Sequence, residues 1–204
     1  MNKRAVSLLL IGFLSFLTSC TAITTPVTNQ YRLEGYSAKV LAHSKSSSTI
    51  LVSLPEALAG SQTEEMQYIE KPFELNSFAH NAWVSPPANM LYPLILESLQ
   101  KTNYFNAVAS GPYVDKADYR LDTQLVKLLQ NYLVKPSVIE LTVKTTLTHI
   151  PDNRVVTSRI FHQRVPCPFN TPYGGVLAAN RASIAFTREM SQFVVQEVQR
   201  DHKK

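Results

Sequence analysis

Residues 138–165 read VIELTVKTTLTHIPDNRVVTSRIFHQRV, and this stretch decides the fold. Ile139, Leu141, Val143, Thr145 and Leu147 alternate with Glu140, Thr142, Lys144, Thr146 and Thr148. Successive side chains of a strand point to opposite faces, so this alternation predicts a strand with one dry and one wet face, the habit of antiparallel sheets. Pro151-Asp152-Asn153 supplies turn chemistry, and Arg154 to Val165 returns as the partner strand. Upstream, Tyr119, Leu121, Thr123 and Leu125 share one face while Arg120, Asp122 and Gln124 share the other, which adds a third strand of the same kind.

Working outward, Tyr104 to Ser110 reads as a strand before the Gly111-Pro112 turn. Ser85-Pro86 resembles a helix cap followed by proline at the first helical position, and Leu91, Leu94, Ile95 and Leu99 then form an apolar stripe. Pro93 lies within that stripe, so the helix is kinked there or starts near Asn89. From Met66 to Trp83 two short strands are expected, anchored by Tyr68, Ile69, Phe73, Leu75, Phe78 and Trp83. Ile50 to Leu54 is an interior strand closed by Pro55, and Tyr31-Arg32-Leu33 is a candidate further strand. After the break from Pro166 to Pro172, Gly174-Gly175 precede a long helix from about Val176 to Arg200. Ala182, Phe186, Met190, Val194 and Val198 recur every four residues on its core side, with Phe193 alongside. The order predicts a single α+β domain: a mostly antiparallel mixed sheet with two main helices packed on one face.

The 204 residues are 45% hydrophobic and 17% charged, which suits one packed core. A net charge of +5 is spread along the chain rather than massed, so it does not suggest nucleic acid. Residues 1–19 read as a secretory signal peptide, with Lys3 and Arg4 ahead of the apolar run from Ala5 to Leu17. About 13 residues at roughly 1.5 Å each cover roughly 20 Å, short of the roughly 30 Å hydrocarbon core. The run ends in Leu17-Thr18-Ser19-Cys20, the pattern of a bacterial lipobox. There the Cys20 thiol takes a diacylglyceryl group and cleavage follows Ser19, since a thiol is the stronger nucleophile. Cleavage removes Lys3 and Arg4 and no acidic residue, so part of the basic balance is a targeting signal. Thr21 stands where an inner-membrane retention signal usually places Asp, which points to the outer membrane. Residues 20–30, rich in threonine and interrupted by Pro26, read as a lipidated tether, and residues 31–204 as the periplasmic domain.

No catalytic constellation stands out. The chain has no GxSxG, HExxH, phosphate-cradling loop or CxxC, and its histidines at 43, 80, 149, 162 and 202 are scattered. Asp115, Asp118 and Asp122 form the densest acidic group, which reads as solvated surface before a metal site. No cofactor or metal is therefore expected. Cys167, between Pro166 and Pro168, is an unpaired cysteine if Cys20 is lipidated. Trp83, the single tryptophan, suits a core position between sheet and helix, with a partner anchor as the weaker alternative.

Laid out in this order, the chain resembles the ABC-type transport auxiliary lipoprotein family, which includes the lipoprotein of the paraquat-inducible system. The resemblance rests on the lipobox at Cys20, Tyr31-Arg32-Leu33, the Ile50 to Leu54 strand running into Pro55-Glu56-Ala57-Leu58, and Trp83 before the first helix. It also rests on Ala117-Asp118-Tyr119-Arg120-Leu121 and on Gly175-Val176-Leu177-Ala178-Ala179-Asn180-Arg181-Ala182. It implies a non-enzymatic, outer-membrane-anchored periplasmic component that docks an ABC transporter or an MCE-domain protein, with lipids or other hydrophobic molecules as cargo. A ring of copies is one arrangement consistent with it. A lipoprotein that itself binds a hydrophobic ligand, and one that assists envelope assembly, stand as alternatives.

Overall fold

A computed structural model describes residues 28–58, 60–111 and 117–203. The signal peptide, Cys20 and Asp115 lie outside these residues. In chain order the elements are β1 (Asn29–Tyr31), β2 (Thr49–Val52), β3 (Glu56–Ala57), β4 (Glu65–Lys71), β5 (Glu74–Trp83) and α1 (Pro87–Lys101). They continue with β6 (Ala107–Ser110), β7 (Tyr119–Asn131), β8 (Val138–His149), β9 (Arg154–Pro166) and α2 (Pro172–Asp201).

The three long strands predicted by alternation frame the sheet. β7 pairs antiparallel with β8 from Tyr119↔His149 to Asn131↔Val138, and β8 pairs with β9 from Val138↔Pro166 to His149↔Arg154. The other edge of β7 is shared in relay by three short parallel strands: β2 against Tyr119 to Leu121, β3 against Gln124 and Leu125, and β4 against Gln130 and Asn131. β6 adds in parallel outside β2, β5 antiparallel outside β4, and β1 parallel outside β5. The long ladders are antiparallel and the short ones mostly parallel, giving a mixed α+β domain with both helices on one face.

Burial explains why these residues choose these elements. Leu121, Leu125, Leu141, Val143 and Leu147 are buried beneath the helices, and Ala182, Phe186, Met190, Val194 and Val198 on α2 are each 0% exposed. Phe161 of β9 meets Phe186 and Phe193 edge to face, both with centroids 5.7 Å apart. The two helices touch through small residues, Ser191 Oγ donating to Ser98 Oγ at 3.1 Å.

Several local expectations change. Gly174 and Gly175 lie inside the first turn of α2, not before it, with Thr171 Oγ1 accepting from the Gly174 N–H as the cap. An added Cβ would fall 2.0 Å from the Phe169 carbonyl oxygen at Gly174 and 2.3 Å from Gln130 Oε1 at Gly175. Close approach, not turn geometry, selects these glycines. The strand expected over Tyr104–Ser110 is only Ala107–Ser110, because Tyr104 and Phe105 turn inward as a buried edge-to-face pair. Helix α1 starts at Pro87 with Pro86 in the capping position, so it does not begin near Asn89, and Pro93 sits inside it. β1 begins at Asn29 opposite Asn81, so pairing starts within the last two residues of the expected tether.

Phe73 and Leu75, expected as core anchors, are exposed, Phe73 at 109% and Leu75 at 52%. The cause is geometric. β4 runs on to Lys71 after Ile69 has met Asn131, the last residue of β7, so the β4–β5 turn projects past the end of the sheet with nothing among the described residues covering it.

Candidate functional site

The helix-covered interior is closely packed around Trp83. Gln67, Gln130 and the apolar side chains of Met66, Phe78, Trp83, Leu128, Leu129 and Ile139 enclose a gap of only about 10 Å³, room for at most one water. An acyl chain has no place there. Trp83 is 2% exposed and belongs to this core, so its indole is not on the surface.

The opposite face of the sheet is uncovered and polar. Asp122 accepts from Ser53 Oγ at 2.6 Å and from Arg120 Nε at 2.9 Å. Lys127 Nζ donates to Glu140 at 2.6 Å, Thr142 Oγ1 pairs with His162 Nδ1 at 3.1 Å, and Thr146 Oγ1 with Ser158 Oγ at 3.1 Å. Burial would raise the Glu140 carboxyl, but hydrogen bonds from Lys127 and Asn131 outweigh it and hold the group below its ordinary value. A shallow open cleft of about 220 Å³ lies on this face, lined among others by Ser53, Glu56, Asp122, Gln124 and Lys144. It is polar and smaller than the roughly 300–1,000 Å³ usual for small-molecule sites. At the margin, β9 presents an unpaired strand edge 13 residues long with Val155 and Ile160 exposed.

Two of the three acidic residues flagged in the sequence, Asp118 and Asp122, are structural in this setting. Asp118 accepts from the Thr49 backbone N–H at 2.7 Å and from Thr49 Oγ1 at 2.8 Å, fixing the start of β2, whereas Asp122 braces the polar face. They do not converge. Among the described residues no three His, Cys, Asp or Glu side chains come together as a metal site, and no helix is long and apolar enough to cross a membrane. Cys167 is buried, and burial pushes its thiol up, away from the reactive thiolate.

Sequence reading misses two clasps. Asn180 Oδ1 accepts from the Glu34 and Gly35 N–H groups at 2.8 and 3.0 Å, and the Ser37 N–H donates to Thr187 Oγ1 at 2.9 Å. These bonds pin the segment after β1 to α2. At the other end of α2, the Asp201 side chain is 4% exposed and accepts from both terminal guanidinium nitrogens of Arg154, at 3.0 and 3.1 Å, and from the Tyr119 hydroxyl at 3.1 Å. A carboxylate at a helix C-terminus is disfavoured by the helix dipole, so Arg154 offsets a local cost.

Hydrogen bonding to Arg154 holds the Asp201 carboxyl below its usual range against the opposing effect of burial. A carboxyl depressed in the folded state contributes its full stability above the unfolded value of about 3.9 and loses it as pH falls through the folded value. Asp201→Asn should therefore lower stability near pH 7 by about 1–2 kcal/mol, a figure kept small because Arg154 is half exposed. It should also flatten the loss of melting temperature below about pH 4. Thermal melts of both proteins across this range test the pair; parallel acid limbs would contradict it.

The sequence profile of the ABC-type transport auxiliary lipoprotein component family matches residues 31–191. The chain belongs to this family. The match covers every strand from β2 to β9, helix α1 and most of α2, and includes both the Asn180 clasp and the close-approach glycines. Among solved structures, a protein from Xanthomonas campestris is similar at 21% identity with a TM-score of 0.79, over 87% of this chain and 100% of its own. A hypothetical protein from Chlamydia trachomatis is similar at 11% identity with a TM-score of 0.51, over 75% of this chain and 98% of its own. These likenesses concern the fold. No curated protein matches the sequence. As a member of the auxiliary lipoprotein family, the chain associates with ABC transport systems.

Proposed function

We propose that the protein is a periplasmic lipoprotein held at the outer membrane through Cys20, and that it acts without catalysis as the docking component of an ABC or MCE-type system moving lipids or other hydrophobic molecules between the two membranes. The family match over residues 31–191 carries the reading. The close packing around Trp83 supports docking over carriage, because a carrier needs an apolar space of the cargo's size and the apolar gap between Met66, Trp83, Leu128 and Ile139 holds about 10 Å³. The polar sheet face and the β9 edge offer the docking surface, an open edge being a template for added strands and a hydrogen-bonded face a preorganised one. Gentle crosslinking of intact membranes, followed by affinity capture of the full chain and mass spectrometry, tests this. An ABC or MCE-domain component should be recovered; its consistent absence would overturn the proposal.

A further inference from the structure

Of the large apolar side chains that stand in solvent, several gather at one end of the domain. Phe73 and Leu75 occupy the β4–β5 hairpin. Leu133 lies just after β7, and Phe169 and Tyr173 flank the start of α2, all exposed. Gln130 of β7 donates to the Thr171 carbonyl oxygen, which places the α2 start at the same end of the sheet as the close of β7. Lys135 lies exposed beside these residues, and Lys71, also exposed, is ion-paired with Glu74 at 3.5 Å.

Phe73 is not there for the turn. Lys71 pairs with Glu74, leaving Pro72 and Phe73 as the two-residue tip, and Phe73 has φ of 66°. That is the left-handed position after a turn proline, which glycine or asparagine occupies without strain. A bulky aromatic at such a place, left exposed by the described residues, calls for an apolar partner outside them.

The direction of the chain identifies that partner. β1 runs parallel to β5, and β5 runs away from the hairpin tip, so the polypeptide enters β1 from the tip side. Nine residues from Cys20 to Asn29 span at most about 30 Å, whereas the seven residues of β4 cover about 23 Å. Cys20 can therefore come level with Phe73.

We infer that the hairpin tip is a second membrane contact: Phe73 and Leu75 insert into the lipid surface that receives the Cys20 acyl chains, orienting the domain with its α2 C-terminal end away from the bilayer. This rests on the anchoring of Cys20 proposed above. A lipid anchor alone leaves a domain free to tumble on its tether; an aromatic wedge on a hydrogen-bonded hairpin, with Lys135 toward the anionic headgroups, fixes its tilt.

The acylated full-length protein carrying Phe73→Cys, labelled with a polarity-sensitive nitrobenzoxadiazole fluorophore, is reconstituted on phosphatidylethanolamine–phosphatidylglycerol vesicles, with Val155→Cys at the opposite end as the comparison. Fluorescence at position 73 should rise several-fold on vesicle binding and be quenched by acyl-chain doxyl lipids, while position 155 stays open to aqueous iodide. Equal iodide access at both positions, in protein that floats with the vesicles, would overturn the inference and leave the anchor intact. A label at 73 already shielded before vesicles are added, by a second copy or another protein, would also overturn it. Protein that fails to float would remove the anchor, and this inference with it.

Discussion

The Cys20→Ala variant is expected to lose fatty-acid labelling completely and to accumulate as an uncleaved precursor still carrying residues 1–19. The reason is chemical. The diacylglyceryl transfer needs a thiol, and alanine offers no nucleophile. Lipid attachment precedes cleavage in this pathway, so both steps should fail together. The effect on location is correspondingly large: each buried CH₂ contributes about 0.8 kcal/mol, and three acyl chains make anchoring effectively permanent where one chain gives only marginal binding. Metabolic labelling with radioactive palmitate and a mobility assay read both steps at once. Labelling that persists in the variant would refute the anchor.

Phe186→Ala should give the largest loss of stability of any single truncation in the α2 stripe, about 3–5 kcal/mol. Phe186 is 0% exposed and its ring meets Phe161 at 5.7 Å, so truncation leaves a hole at the contact between α2 and the outer strand β9. For a domain of this size each kcal/mol shifts the melting temperature by about 2–4 °C. Phe73→Ala supplies the contrast: the same chemical truncation at an exposed hairpin tip should change stability by no more than about 0.5 kcal/mol. Chemical denaturation of the two variants decides the matter. Comparable losses would mean that Phe73 packs in the core after all.

The three long strands were legible because alternation over Tyr119 to Val165 is a local signal with period two, and the α2 stripe because four-residue spacing is equally local. Phe73 misled for the opposite reason. Its apolar character is visible in sequence, but whether a hairpin overruns its neighbouring strand depends on the register of β4 against β7, which no local pattern encodes. Gly174 and Gly175 read as preceding the long helix, yet they lie within it, and what selects them is the Phe169 backbone and the Gln130 side chain pressed against the helix. The Asn180 clasp joins residues 146 positions apart, and the Arg154–Asp201 pair joins residues 47 apart. Such contacts exist only once the sheet has placed its edges. At the candidate site, the lipobox was readable as a motif, whereas the polar sheet face, the close packing around Trp83 and the apolar end of the domain needed the fold.

Docking of a transport system, as opposed to carriage of cargo, requires the β9 edge or the polar sheet face to meet the partner in the cell. Photo-crosslinking residues placed at Ser158 and Ile160 on β9, in the acylated full-length protein in living cells, test it most directly. Adducts whose second chain is an ABC-transporter or MCE-domain component are expected. Protein that is anchored at the membrane, yet forms no such adduct from either position or from the polar face at Lys144, would contradict it.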